Sequence, residues 1–271
     1  MLTASHEATK ALILESEMSA PEQFSFSDGR VVGYCRTSPD KQEPNDDSAI
    51  VIQAASGAIV MAVADGVGGS PMGYEASAIA VRTLAASLST VCTRQDLRPL
   101  ILDAIEHANQ EILDLGVGAA TTLSVVEIQA GIARAYQVGD SISLIMGQRG
   151  VLKWKSTPQS PTGYAVESGL MDEFDAMFHD ERHLVSNLVG TRDMQIQIGP
   201  AQPLAARDTV LLGSDGLFDN LHLDEVVQIG RIGAPLDRVR NLVQKTQERM
   251  SSSSSEGIGK PDDLSLLLFT Q

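Results

Sequence analysis

The chain has 271 residues, enough for one large domain with a substantial core, and 43% of them are hydrophobic, an ordinary globular share. A formal charge of -15 at pH 7 excludes binding that rests on neutralising the phosphates of nucleic acid or anionic lipid, and two cysteines are too few for a disulfide scaffold. The acidic excess then has two readings, solubility alone or the holding of cations, and only the positions of the carboxylates separate them.

Cys35 and Cys92 stand in no C-x-x-C pair and read as ordinary thiols of a reducing compartment. The first residues carry neither a basic leader nor a long apolar stretch, and no apolar run approaches the roughly eighteen residues that span a bilayer, so a cytoplasmic protein without membrane partners is expected. Residues 1–22 are polar apart from Ala11–Leu14 and read as a mobile arm or an edge strand; residues 23–271 read as one domain. Ala49–Gln53 and Ala58–Ala64 are short Val- and Ile-rich runs parted by Ser56-Gly57, the pattern of a hairpin. Met72–Val91 is Ala-rich, with no Pro and no Gly after Gly73 at its start, and Leu97, Ile101, Ala104, Ile105, Ala108 and Ile112 recur at helical spacing within Gln95–Leu115, so two helices follow.

Strands return at Thr121–Ile128, Ala133–Val138 and Ser141–Met146, the last two expected to form a tight hairpin across Gly139-Asp140. Periodicity fades over residues 156–200, where Pro158, Pro161, Gly163 and Gly169 mark a flap-like segment. Thr209–Gly213 reads as a buried strand, Pro235 opens a helix carrying Leu236, Val239, Leu242, Val243 and Met250, and Ser251–Ser255 reads as a solvated linker. Leu264–Phe269 is apolar almost throughout, as in a strand covered on both faces. The order predicts an α+β layered fold with antiparallel sheets and outer helices.

Five aspartates flank these strands: Asp47 precedes one, Asp65 follows one, Asp140 lies in a turn, Asp215 follows one and Asp262 precedes the last. In antiparallel sheets the start of one strand lies beside the end of its neighbour, so such residues can share one rim. Two unscreened charges about 4 Å apart repel by roughly 4 kcal/mol at an effective dielectric near 20, so a cluster of carboxylates calls for cations or raised pKa values. Oxygen-only donors suit Mg²⁺ or Mn²⁺ rather than zinc. Any one Asp-Gly is adequately explained as turn chemistry; five strand-flanking aspartates together are not.

Asp65 and Gly66 stand in VADGVGG and Asp215 in LLGSDGLFDN; with GAATTLSVV, YQVGDS and PDDLSLLLF in this order, the chain resembles the protein phosphatase 2C-like family of metal-dependent Ser/Thr phosphatases over roughly residues 30–271. The resemblance implies a four-layer α-β-β-α sandwich, two central antiparallel sheets flanked by helix pairs, with residues 23–271 as the catalytic domain. It implies that Asp47 of NDDS, Asp65, the Gly66 carbonyl, Asp215 and Asp262 hold two ions, Mn²⁺ or Mg²⁺, and that Asp140 of GDS helps hold a third with Asp215. It further implies hydrolysis of phosphoserine and phosphothreonine in protein substrates by a metal-activated water, with no covalent intermediate; a monomer is expected, and the acidic charge argues against a nucleic-acid partner.

The chain departs from the family where Asp46 replaces a glutamate, where GDSI lacks a following arginine, and where the phosphate-binding arginine's position is held by Gln42. Arg36 upstream is expected to take that role beside Asp65 and Asp215, with Lys41 as the alternative. His107, His179, His183 and His222 are candidate proton donors to the leaving oxygen, although none lies in a specific motif. A haloacid dehalogenase-type hydrolase would need an Asp-x-Asp near the chain start, which is absent, and no G-x4-G-K-[ST] loop occurs. A regulatory pseudophosphatase is the non-catalytic alternative, opposed by the retention of Asp47, Asp65, Asp215 and Asp262.

Overall fold

Runs of β-branched and aliphatic residues condense into two antiparallel sheets whose inner faces pack on each other. The structure is a computed structural model that describes residues 9–14, 16–39, 41–89, 96–251 and 259–271. Residues 1–8 of the amino-terminal arm, Cys92 and residues 252–255 of the serine linker lie outside the described residues.

The first sheet runs β1 (Thr9–Leu14), β4 (Asp47–Gln53), β5 (Ile59–Asp65), β6 (Leu123–Gln129), β7 (Ile132–Val138) and β10 (Gln197–Ile198), with β11 (Gln202–Pro203) also on β7. The second runs β2 (Glu22–Phe26), β3 (Gly29–Arg36), β13 (Leu264–Thr270), β12 (Thr209–Gly213), β8 (Ile142–Met146) and β9 (Leu152–Lys155). Alternation sorts the side chains. Ala49, Val51, Met61 and Val63 meet Ile145, Leu212, Leu267 and Phe269 between the sheets. Their neighbours Ile50, Ile52, Val60 and Ala62 face the helices α1 (Gly73–Ser89) and α2 (Arg98–Asp114). On the far side, Leu144, Leu211, Leu266 and Leu268 pack on α6 (Leu223–Gly230) and α7 (Pro235–Ser251). These are the four layers of an α-β-β-α sandwich, and β13 lies inside its sheet, covered on both faces.

The expected hairpin across Gly139-Asp140 does not form. β7 pairs with β6 in the first sheet and β8 with β12 in the second, so the dipeptide carries the chain from one sheet to the other. A turn signal reports a local reversal; the pairing partner is chosen by long-range contacts. Gly139 has φ +96° and its missing Cβ would lie 2.6 Å from Thr122 Cβ, so this crossover is tightly seated against the end of the first sheet. Between β9 and β12 lie α3 (Pro161–Glu167), capped by Ser160 accepting from the Gly163 N–H, and α4 (Glu173–Met177), capped by Asp172 accepting from the Asp175 N–H. Among the described residues no helix is long and apolar enough to cross a membrane.

One close approach fixes how β12 leads into its helix. In α5 (Asp215–Phe218), a Cβ on Gly216 would sit 1.9 Å from the Asp263 carbonyl oxygen, against backbone that cannot swing aside. Gly216→Ala is expected to lower stability in chemical denaturation by about 1–3 kcal/mol, the usual cost of overpacking, whereas Gly68→Ala, which meets open space, changes it little.

Candidate metal centre

Asp47 opens β4 and Asp65 closes β5, and the two are direct cross-strand partners, so their carboxylates project from the same face, the one turned to the second sheet. There, Ser214 follows β12 and Ser265 lies in β13; both hydroxyls donate to Asp47 Oδ2 at 2.8 Å, tying the two sheets at this end. Asp215 stands next to Ser214, Asp262 two residues ahead of β13, and Asp140 on the crossover between sheets. A cleft of about 680 Å³ opens here, and Asp65, Gly66, Asp140, Asp215 and Asp262 all line it.

The backbone at Asp65 is held rigidly. Its N–H donates to Thr122 Oγ1, and its carbonyl accepts from the Thr122 N–H and the Thr121 hydroxyl. Gly66 donates its N–H to the Asp46 carbonyl, and a Cβ there would lie 2.3 Å from the Gly73 carbonyl oxygen, so only glycine fits.

Two expected residues, Asp47 and Arg36, do not line the cleft. Asp47 is fully buried behind the cleft wall; its Oδ1 has no hydrogen-bond partner. Arg36 does not line the cleft. It lies opposite Leu264, with the parity of Val32 and Tyr34, which face the helices, and its exposed guanidinium approaches Glu17 at 3.8 Å. Lys41, from the loop after β3, is the basic side chain on that part of the cleft, held at 2.5 Å from Asp46 and 2.6 Å from Asp263. Of the four candidate histidines, only His183 lines the cleft; His107 pairs with Glu111 on α2, and His222 stacks on Phe174.

Two further residues complete the cluster. Lys260 places its ammonium 2.7 Å from Asp215, 3.0 Å from Asp219 and 2.9 Å from Asp262. Asp219 was marked in the sequence only by its place four residues after Asp215, and Lys260 by lying two residues before Asp262; neither spacing announces a role.

Crowding of carboxylates raises their pKa values. Burial and then the charges of Asp47, Asp215, Asp262 and Asp140 hold Asp65 well above the carboxylate range. Burial, followed by Asp215 and Asp219, pushes Asp140 up to about 8. Burial and Asp215 push Asp262 up to about 7, and Asp219 rises to about 6 for the same reasons. Burial alone would pull Lys260 down, but Asp215, Asp219 and Asp262 outweigh it and hold the amine charged.

Among the described residues no three Asp, Glu, His or Cys side chains are already arranged to hold one ion; Asp215 and Asp262 are gathered on the Lys260 ammonium. The donor chemistry nevertheless fits a hard divalent cation: the charged donors are all carboxylates, their mutual repulsion is only partly relieved, and Asp47 Oδ1 is a buried orphan acceptor beside Asp65.

A family model described as protein phosphatase 2C matches residues 36–257. The serine/threonine phosphatase stp of Listeria monocytogenes is 26% identical over 235 residues, spanning 83% of this chain and 89% of that protein. The solved Stp1 serine/threonine phosphatase of Staphylococcus aureus shares the fold with a TM-score of 0.79 at 17% identity, over 94% of this chain and 98% of its own. The catalytic domain of the serine/threonine protein phosphatase PstP, solved with two manganese ions, has a TM-score of 0.73 at 19% identity, over 89% of this chain and 97% of its own.

Carboxyls whose folded pKa exceeds the unfolded value bind more protons folded than unfolded, so their contribution falls as pH rises through the folded pKa. With Asp219, Asp262 and Asp140 raised to about 6, 7 and 8, the ion-free protein is expected to lose thermal stability between pH about 5 and about 8, while Lys260 stays charged. Asp140→Asn is expected to flatten that decline in thermal scans under chelator; stability that rises with pH over this window refutes the crowding.

Proposed function

This chain belongs to the protein phosphatase 2C family, and from that premise we propose that it is a protein serine/threonine phosphatase that hydrolyses phosphoserine and phosphothreonine with two divalent ions, Mn²⁺ or Mg²⁺. The convergence of Asp65, Gly66, Asp215 and Asp262 on one open cleft, from three distant stretches of chain, is the observation that carries the reading. Divalent ions bound there supply an activated water at neutral pH and neutralise charge on the phosphoryl oxygens.

The chain's own groups set up the rest. Asp65 and the Gly66 carbonyl are presented by backbone pinned to Thr121, Thr122 and Asp46, so they hold position as charge shifts around them. Asp140, on the opposite wall, belongs to the same donor set, as the resemblance to the family implies for a third ion. Lys41, on the cleft wall, is the cation available to the phosphate, and His183, on the same lining, is the histidine available to protonate the leaving oxygen. Cys35 is fully buried and its thiol is pushed up by burial, so it is no nucleophile for a covalent route. The groove beside α3 and α4, lined by Phe174, Met177 and Phe218, shares Asp140 and Asp215 with the cleft; it offers an apolar floor for the peptide around the phosphorylated residue, consistent with a flap role for residues 156–200.

Phosphate release from a phosphothreonine peptide is expected to require Mn²⁺ or Mg²⁺ and to stop on chelation. Asp65→Asn and Asp215→Asn are expected to lower kcat/KM at least about 100-fold in protein whose circular dichroism is unchanged. Activity that survives chelation would refute the metal reading, and a folded, ion-binding but inactive wild type would favour the pseudophosphatase. Lys41→Gln is expected to lower kcat/KM about tenfold, the worth of one charge-assisted hydrogen bond, while Arg36→Gln leaves it nearly unchanged.

A further inference from the structure

Lys260 is not a surface lysine that happens to fall near acids. Its backbone N–H donates to Asn220 Oδ1 at 3.0 Å and its carbonyl accepts from Asn220 Nδ2 at 2.9 Å. Asn220 is fully buried and also donates to the Gly216 carbonyl of α5, the helix that begins with Asp215. One amide therefore locks the Lys260 backbone to the element that presents Asp215 and Asp219. Pro261 follows and restricts the chain further. From this anchorage the ammonium reaches three carboxylates at once, two of which, Asp215 and Asp262, belong to the donor set for the ions.

We propose that Lys260 is a tethered counter-cation of the metal centre, competing with divalent ions for Asp215 and Asp262 and thereby setting how tightly the centre is loaded. This inference rests on the metal-dependent reading of the cleft. In the ion-free protein the ammonium relieves the repulsion among Asp215, Asp219 and Asp262. On loading, Asp215 and Asp262 exchange the ammonium for the ions, and Asp219, which the family resemblance does not assign to them, remains as its partner.

Lys260→Gln removes the charge while retaining a polar side chain of similar length. Titration with Mn²⁺, read from the electron paramagnetic resonance signal of the free ion, is expected to show binding about tenfold tighter or more in Lys260→Gln, with Lys260→Arg close to wild type. If Lys260→Gln folds only with ions present, the Mn²⁺-loaded proteins are mixed with a fluorescent chelator, and slower release from the variant is expected. Equal or weaker Mn²⁺ binding, or equal or faster release, in Lys260→Gln overturns the counter-cation role alone. Failure of both proteins to bind Mn²⁺ overturns that role together with the metal-dependent reading. Binding by the variant but not by the wild type supports the role in its strongest form.

Discussion

Carboxylates at the open end of this sandwich must be held together against their mutual repulsion, and much of the local structure answers that requirement. Strand register makes Asp47 and Asp65 neighbours, and the junctions of β12 and β13 bring Asp215 and Asp262 to the facing wall. At an effective dielectric near 20, each such pair at about 4 Å costs roughly 4 kcal/mol unless relieved. Relief comes from several sources. The hydroxyls of Ser214 and Ser265 solvate Asp47, Lys41 neutralises Asp46 and Asp263, Lys260 bridges three more acids, and Asp140 and Asp262 are raised toward neutrality. The strain that remains is what a pair of dications would remove.

The apolar architecture holds this acidic cluster in place. Inter-sheet packing of Val51, Met61 and Val63 against Leu212, Leu267 and Phe269 fixes the separation of the sheets, and the two walls of the cleft with it. Close backbone contacts at Gly66 and Gly216 leave the loops carrying Asp65 and Asp215 little room to shift. A centre built on strand ends and seated glycines has its backbone fixed by the surrounding fold. The segment of α3 and α4 borders the neighbouring groove with short, separately capped helices, so its sequence can vary without disturbing the acidic rim.

Periodicity and punctuation made most of the fold readable before any coordinates: the β4–β5 hairpin, α1, α2, β12, α7 and β13 follow from local apolar patterns, and the strand-flanking aspartates from their places beside them. β3 escaped notice because glycines and arginines break up its apolar run, although it pairs with β13 from Arg30 to Arg36. Asp65, Gly66, Asp140, Asp215 and Asp262 were identifiable from Asp-Gly and Gly-Asp steps at strand ends and from their order in the family resemblance. What local sequence encodes is which residues repeat at the period of a strand or helix and which residues end it, because those preferences depend on near neighbours. Long-range pairing decided the remainder: β8 joined the other sheet, strand parity turned Arg36 toward the helices, and the Asn220 clamp brought Lys260 into the cluster, since each outcome depends on which distant part of the chain supplies the hydrogen bonds.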